Sequence, residues 1–295
     1  MSEEQLIHMC RFQPVKTARG TPIATRLRHA RSRYVVTVPA SRHGFPVVVS
    51  LLFAASVALT VAWCTSMSAM GGMRMPGGWT MSVAWMRMPG QSWPGATASF
   101  AGMWVVMMVA MMLPSLVPAL WRYRQAAARA GTAHIERLTM LVAGGYFLVW
   151  SLFGLAVFPV GAALAALAMQ QPVLSRAVPI VSGVAVASAG LFQFTAWKAR
   201  QLACCREAGG RGHTLPSDAP AAWREGVRLG VLCARCCANL TTIVLVAGVM
   251  DLRVMAAVTV AITAERLVPA GDRVVRVMGF FVAAAGAVLI VRSMS

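Results

Sequence analysis

Charged residues are scarce in this 295-residue chain, at 12% against about 25% in a soluble domain. A soluble fold with so few could not cover its surface, and hydrophobic residues make up 58% of the chain instead. Polar/apolar alternation is missing from the apolar runs, which are long and continuous, and this excludes a closed β-barrel. Lipid leaves no backbone group free to pair with water, so the spanning elements have to be helices. Walker loop, nucleophile elbow and dinucleotide fingerprint are absent as well, so the expectation is a protein that is not an enzyme. The first apolar stretch begins too late for a cleavable signal peptide, and no small-residue cleavage pattern closes it.

What is present is a polytopic all-α transmembrane bundle of about seven helices. The apolar runs place them at about 46–63, 100–121, 138–168, 177–197, 229–250, 252–268 and 277–291. Pro159 is expected to kink the third, and Arg276 and Arg292 would snorkel to lengthen the last. Residues 1–44 read as a flexible basic cytoplasmic tail, with basic residues from Arg11 to Arg42 and only Glu3 and Glu4 against them. Residues 45–295 form the transmembrane domain, in which 64–99 is a Met- and Gly-rich extracytoplasmic loop.

The net charge of +18 does not signal nucleic acid. The basic residues sit between apolar runs, where lipid headgroups select for them, and no basic-aromatic surface is visible. They crowd alternate loops: Arg122, Arg124, Arg129 and Arg137 after the second helix, Lys198, Arg200, Arg206, Arg211 and Arg224 after the fourth, Arg266 and Arg273 after the sixth. By the positive-inside rule the N-terminus is cytoplasmic and the C-terminus outside, in a multi-pass protein of a bacterial-type inner membrane.

Five of the seven cysteines fall in one stretch: Cys204, Cys205, Cys233, Cys236 and Cys237. In the deduced topology helix four delivers the first pair just past its cytoplasmic end, and helix five starts on that side with the other three. Helical spacing puts Cys233, Cys236 and Cys237 within about a 100° arc, so they can point at one ligand. Clustered thiolates suit a soft ion such as Cu(I), or Zn²⁺ with a fourth ligand, and a reducing cytoplasm argues against disulfides there. Arg235, Lys198 and Arg206 would offset the negative charge. The bland alternative is that small cysteines ease helix packing.

Glu265 belongs near the same end. An acid in a membrane helix is a functional candidate by default, and the alternative is interfacial solvation or pairing with Arg266. Methionine is the third feature. Met67, Met70, Met73, Met75, Met81, Met86 and Met88 populate the outer loop, and Met103, Met107, Met108, Met111 and Met112 line helix two. Thioethers are soft Cu(I) ligands but also flexible packing residues, and packing is the expectation for helix two; in the Gly/Pro-rich loop a hydrophobic core is not expected to account for them, which leaves soft-metal capture or mere low complexity. The five histidines lack ligand spacing, and His213 is a loop residue near the cysteine pair. Gly144, Gly145 and Tyr146 read as close helix packing.

From about residue 100 to 290 the chain resembles a bacterial family of predicted metal-binding integral membrane proteins. The likeness starts at Met107-Met108-Val109-Ala110-Met111-Met112-Leu113-Pro114 and passes through Gly145-Tyr146 with Trp150. It continues in Gly190-Leu191-Phe192-Gln193-Phe194-Thr195 with Lys198, then Cys205-Arg206. Its densest stretch is Cys233-Ala234-Arg235-Cys236-Cys237, followed by Gly248-Val249-Met250, Met255 and Glu265-Arg266. The chain departs from the family pattern at Gln201, where a cysteine is expected and Cys204 is the substitute at hand. It departs again at Arg235 and Ala238, and Arg235 would bring a cation into the site.

The leading expectation is binding of a copper-like soft ion, with passage across the membrane as its extension. The site would comprise Cys205, Cys233, Cys236 and Cys237, with Cys204 and Glu265 as further candidates and Met111 and Met112 along the route. Membrane lipid and a metal chaperone or partner membrane protein are the implied companions. Two rivals stand: a membrane thiol–disulfide oxidoreductase using Cys236-Cys237 and the pair at 204 and 205, and a non-catalytic membrane scaffold.

Overall fold

The computed structural model describes residues 41–69, 71–87, 90–132, 134–207, 218–268 and 271–294. The basic stretch 1–40, Met70, Met88 and His213 lie outside the described residues. The chain divides into two units, Met1–Val48 and Val49–Ser295; the described part of the first is the opening of a helix, and the second holds everything discussed below.

Among the described residues eight α-helices carry the fold: α1 Ser41–Ala69, α2 Trp93–Arg129, α3 Ile135–Gln170, α4 Pro172–Phe192, α5 Ala196–Glu207, α6 Ala219–Ala247, α7 Leu252–Leu267 and α8 Gly271–Met294. Six of them, α1, α2, α3, α4, α6 and α8, are long and apolar enough to cross a membrane. The all-α transmembrane bundle is therefore borne out. The seventh expected span is α7, which has 16 residues and is too short to count with the others. The fourth expected span breaks early. Helix α4 stops at Phe192, and the chain turns through Gln193–Thr195 into α5, whose Lys198 backbone N–H donates to Thr195 Oγ1 at 3.3 Å. That hydroxyl cap starts a new helix where hydropathy alone continued the old one. Starts were also placed late. Helix α6 begins after Asp218 with Pro220 in its first turn, a start signal upstream of the apolar run.

Missing side chains decide how the helices approach. A Cβ on Gly226 would collide with Val142, and one on Gly230 would come within 2.9 Å of the Tyr146 carbonyl. Helices α3 and α6 thus run parallel and nearly touch backbones, as small residues allow in membrane bundles. Helices α4 and α8 run antiparallel by the same means, Gly183 facing Ile290 and Gly190 facing Ala283. Helix α2 packs on α3 through Trp104, which sits over Gly154 and donates from Nε1 to the Trp150 carbonyl at 2.8 Å. Helix α3 runs unbroken through Pro159.

The methionine loop is folded. Strands β1 (Met73–Arg74) and β2 (Thr80–Met81) form a hairpin. Met75 and Met81 are buried against Ala165 and Ala168, with Trp79, Trp85, Met86 and Val178 packed around them. Trp79 Nε1 donates to the Ser175 carbonyl at 2.9 Å, and Ser175 Oγ donates to the Pro76 carbonyl at 2.9 Å. The expectation that no hydrophobic core accounts for these methionines is corrected for Met75, Met81 and Met86, whereas Met73 stays exposed. The ends of α3 and α4 supply the apolar floor that the loop lacks on its own.

Candidate metal centre

Helix α6 presents Cys233, Cys236 and Cys237 on one buried face, as their i, i+3, i+4 spacing requires. All three thiols are at most 1% exposed. Their sulfurs lie within 4.8 Å of one another, Cys233–Cys237 at 3.9 Å and Cys236–Cys237 at 3.3 Å. Donors at about 2.3 Å from one ion can be no more than about 4.6 Å apart, so these separations suit a shared ion with little movement. The turn into α5 then brings Cys205 back into hydrogen-bonding reach of Cys233 and Cys236. Those bonds, with burial behind them, push the Cys205 thiol up.

Cys204 goes elsewhere. It is half-buried and disulfide-bonded, so it does not join the free thiols, and the expectation that no cysteine at this end is oxidised fails there. Helical geometry separates it from Cys205 by about 100°, which turns the neighbour away when Cys205 faces inward.

Three further residues reach the sulfurs or their backbone. Tyr146 Oη donates to Cys233 Sγ at 2.9 Å, a reach made available by the close α3–α6 crossing. Arg266 Nη1 donates to Cys233 Sγ at 3.2 Å and to Ser115 Oγ at 2.8 Å. Lys198, wholly buried, donates from Nζ to the Cys236 carbonyl at 2.6 Å, to Asn239 Oδ1 at 3.4 Å and to Glu265 Oε2 at 2.8 Å. A low-dielectric thiolate cluster needs such donors, because uncompensated buried charge is costly.

The cation in the site is therefore Arg266. Arg235 is exposed, which corrects its expected place among the cysteines. Lys198 serves the backbone beside the thiols, and Arg206 donates to the Glu265 carbonyl. Glu265 is buried, so it is neither solvated at the interface nor paired with its neighbour Arg266. Its carboxylate is held by Lys198 and by Gln193 Nε2 at 2.6 Å, so it braces α4, α5 and α7 together and stands outside the sulfur group. Met111 and Met112 are buried on α2, one turn before Ser115, and so approach the site from the side that Arg266 bridges.

Sequence reasoning placed Tyr146 in a packing motif and passed over Ser115. The available signal was polarity: a phenol inside an apolar helix usually finds a hydrogen-bond partner when buried.

Six membrane-length helices, one of them carrying a buried group of thiols at ligand spacing, define a membrane protein equipped for metal. The chain belongs to the copper chaperone (PpoB2) family, whose model matches residues 101–289, more than half of its length. No curated protein and no solved structure matches it.

Proposed function

We propose that the protein binds Cu(I) through Cys233, Cys236 and Cys237, with Cys205 as a fourth donor, and passes the ion to a partner rather than transforming a substrate. The observation that carries this reading is the convergence of three buried thiols within 4.8 Å. The family description supports copper over zinc. The donor set is compatible with that choice, since soft thiolates select Cu(I), while a four-cysteine group suits zinc as well. Arg266 and Tyr146 offset the anionic charge that a trithiolate–Cu(I) unit would carry in a dry interior.

The site's face is read from charge. The arginines in the loops on the cysteine end support a cytoplasmic face in a bacterial inner membrane, by the positive-inside rule. Cargo would arrive there from a soluble metal chaperone or leave to a partner membrane protein. Thiol–disulfide exchange is disfavoured by burial, since an exchanging sulfur needs access to its partner.

Copper measured by elemental analysis of the reduced, purified protein tests the reading. The parent should retain copper, and the Cys233→Ser, Cys236→Ser, Cys237→Ser triple variant should lose it. Equal copper in both proteins would remove the proposal.

A further inference from the structure

Sulfur gathers at a second place, toward the hairpin end of the bundle. Cys64 near the end of α1, Met103 and Met107 on α2, Met250 in the turn after α6 and Met255 on α7 line one cavity. Cys64 Sγ lies 3.8 Å from Met250 Sδ, although the two are 186 residues apart. Cys64, Met107 and Met255 are buried at the back of the cavity, while Met103 and Met250 are half-buried at its mouth.

Packing alone does not explain this arrangement. Methionine is the side chain that adapts to fill irregular gaps, yet four of them surround a space that they leave open. The space has room for about one water-sized occupant. A water there would want two to four polar partners, and besides thioethers and a thiol the only polar side chains on the wall are Trp63 and Thr60, whose hydroxyl is already donated to the Ser56 carbonyl at 2.8 Å. What the wall does offer is soft donors from four chain segments. Thioethers and a single thiol suit a monovalent soft cation and are poor ligands for Mg²⁺, Ca²⁺ or Zn²⁺.

We propose that Cys64, Met103, Met107, Met250 and Met255 form a second binding site for a monovalent soft metal ion. Binding displaces the Cys64 proton to solvent and leaves a neutral thiolate–metal unit, which an apolar interior tolerates. From this site Met103, Met107, Met111 and Ser115 follow one face of α2 at four-residue intervals. The stripe ends at the hydroxyl that holds Arg266 against Cys233. The loop-end site stands on its own ligands and does not depend on the cysteine centre binding copper.

Silver(I), a redox-inert probe of the same softness, distinguishes the two. The full chain in detergent is titrated with Ag(I), and bound silver is counted by intact-protein mass spectrometry. Cys64→Ser with Met107→Leu should bind one ion fewer than the parent. The Cys233, Cys236, Cys237 triple serine variant should keep the ion that the first variant loses. Met103→Leu with Met250→Leu, at the mouth and close to isosteric, should weaken that ion by at least about tenfold while leaving the helical circular dichroism unchanged. Silver counts unchanged by Cys64→Ser with Met107→Leu would overturn the loop-end site, and so would total loss in the triple variant. A triple variant that binds as much silver as the parent would instead strike the cysteine-centre reading alone.

Discussion

Two arginines separated by thirty-one positions give a sharp test of which cation serves the cysteine centre. Arg266 donates to Cys233 Sγ at 3.2 Å, whereas Arg235 lies between the cysteines in sequence and is exposed. A hydrogen bond to a charged group contributes about 1.5–3 kcal/mol. The bond from Arg266 strengthens as the thiol becomes a thiolate on metal binding, so most of that difference should appear in affinity. Removing it with Arg266→Gln should weaken Cu(I) by about 10- to 150-fold, at 1.4 kcal/mol per decade. Arg235→Gln should leave affinity within about fivefold, as for an exposed charge worth at most about 1 kcal/mol. Competition against a chromogenic Cu(I) chelator at fixed pH, on detergent-solubilised protein of unchanged helicity, reads both. A larger loss for Arg235→Gln than for Arg266→Gln would refute the assignment of Arg266 as the site's cation.

Tyr146→Phe deletes one hydrogen bond to Cys233 Sγ and should weaken Cu(I) by about tenfold or less without changing stoichiometry, measured by the same competition. Glu265→Ala leaves Lys198 buried without its carboxylate; breaking such a pair costs about 3–5 kcal/mol, so thermal unfolding in detergent should fall while bound copper per folded protein stays the same. A copper count halved by Glu265→Gln would make the carboxylate a ligand after all. Gly226→Leu puts a side chain where Val142 already sits and should destabilise the α3–α6 contact by at least about 1–3 kcal/mol, seen as a lowered melting temperature and loss of the metal site together.

The fold was legible because its determinant is local. Runs of apolar residues and the charges between them mark spans one at a time, and six of the seven expected spans coincide with membrane-length helices. Boundaries were less legible, since helices α2 and α3 continue past the apolar core to 37 and 36 residues. The cysteine triad was also local, a matter of spacing on one helix. Its partners were not. Tyr146, Ser115 and Arg266 come from three other helices, and nothing in their own neighbourhoods says which sulfur they face. Arg235 is a different case. The wheel that gathers Cys233, Cys236 and Cys237 puts it about 150° from their centre, so its exposure could be read from the sequence. Glu265 was legible as an acid in an apolar helix but not as to burial or partner, because Lys198 reaches it only once α4 ends at Phe192 and the chain turns.

The shortness of α7 has a physical corollary for where the protein can sit. Sixteen residues rise about 24 Å, less than a hydrocarbon layer of about 30 Å, and Ala256, Ala257 and Val260 on that helix face outward. Were α7 to lie across the layer, the lipid along this flank would have to thin or dimple, a mismatch that sorts proteins among bilayers of different depth. Short-chain lipids should then suit the protein better than long-chain ones.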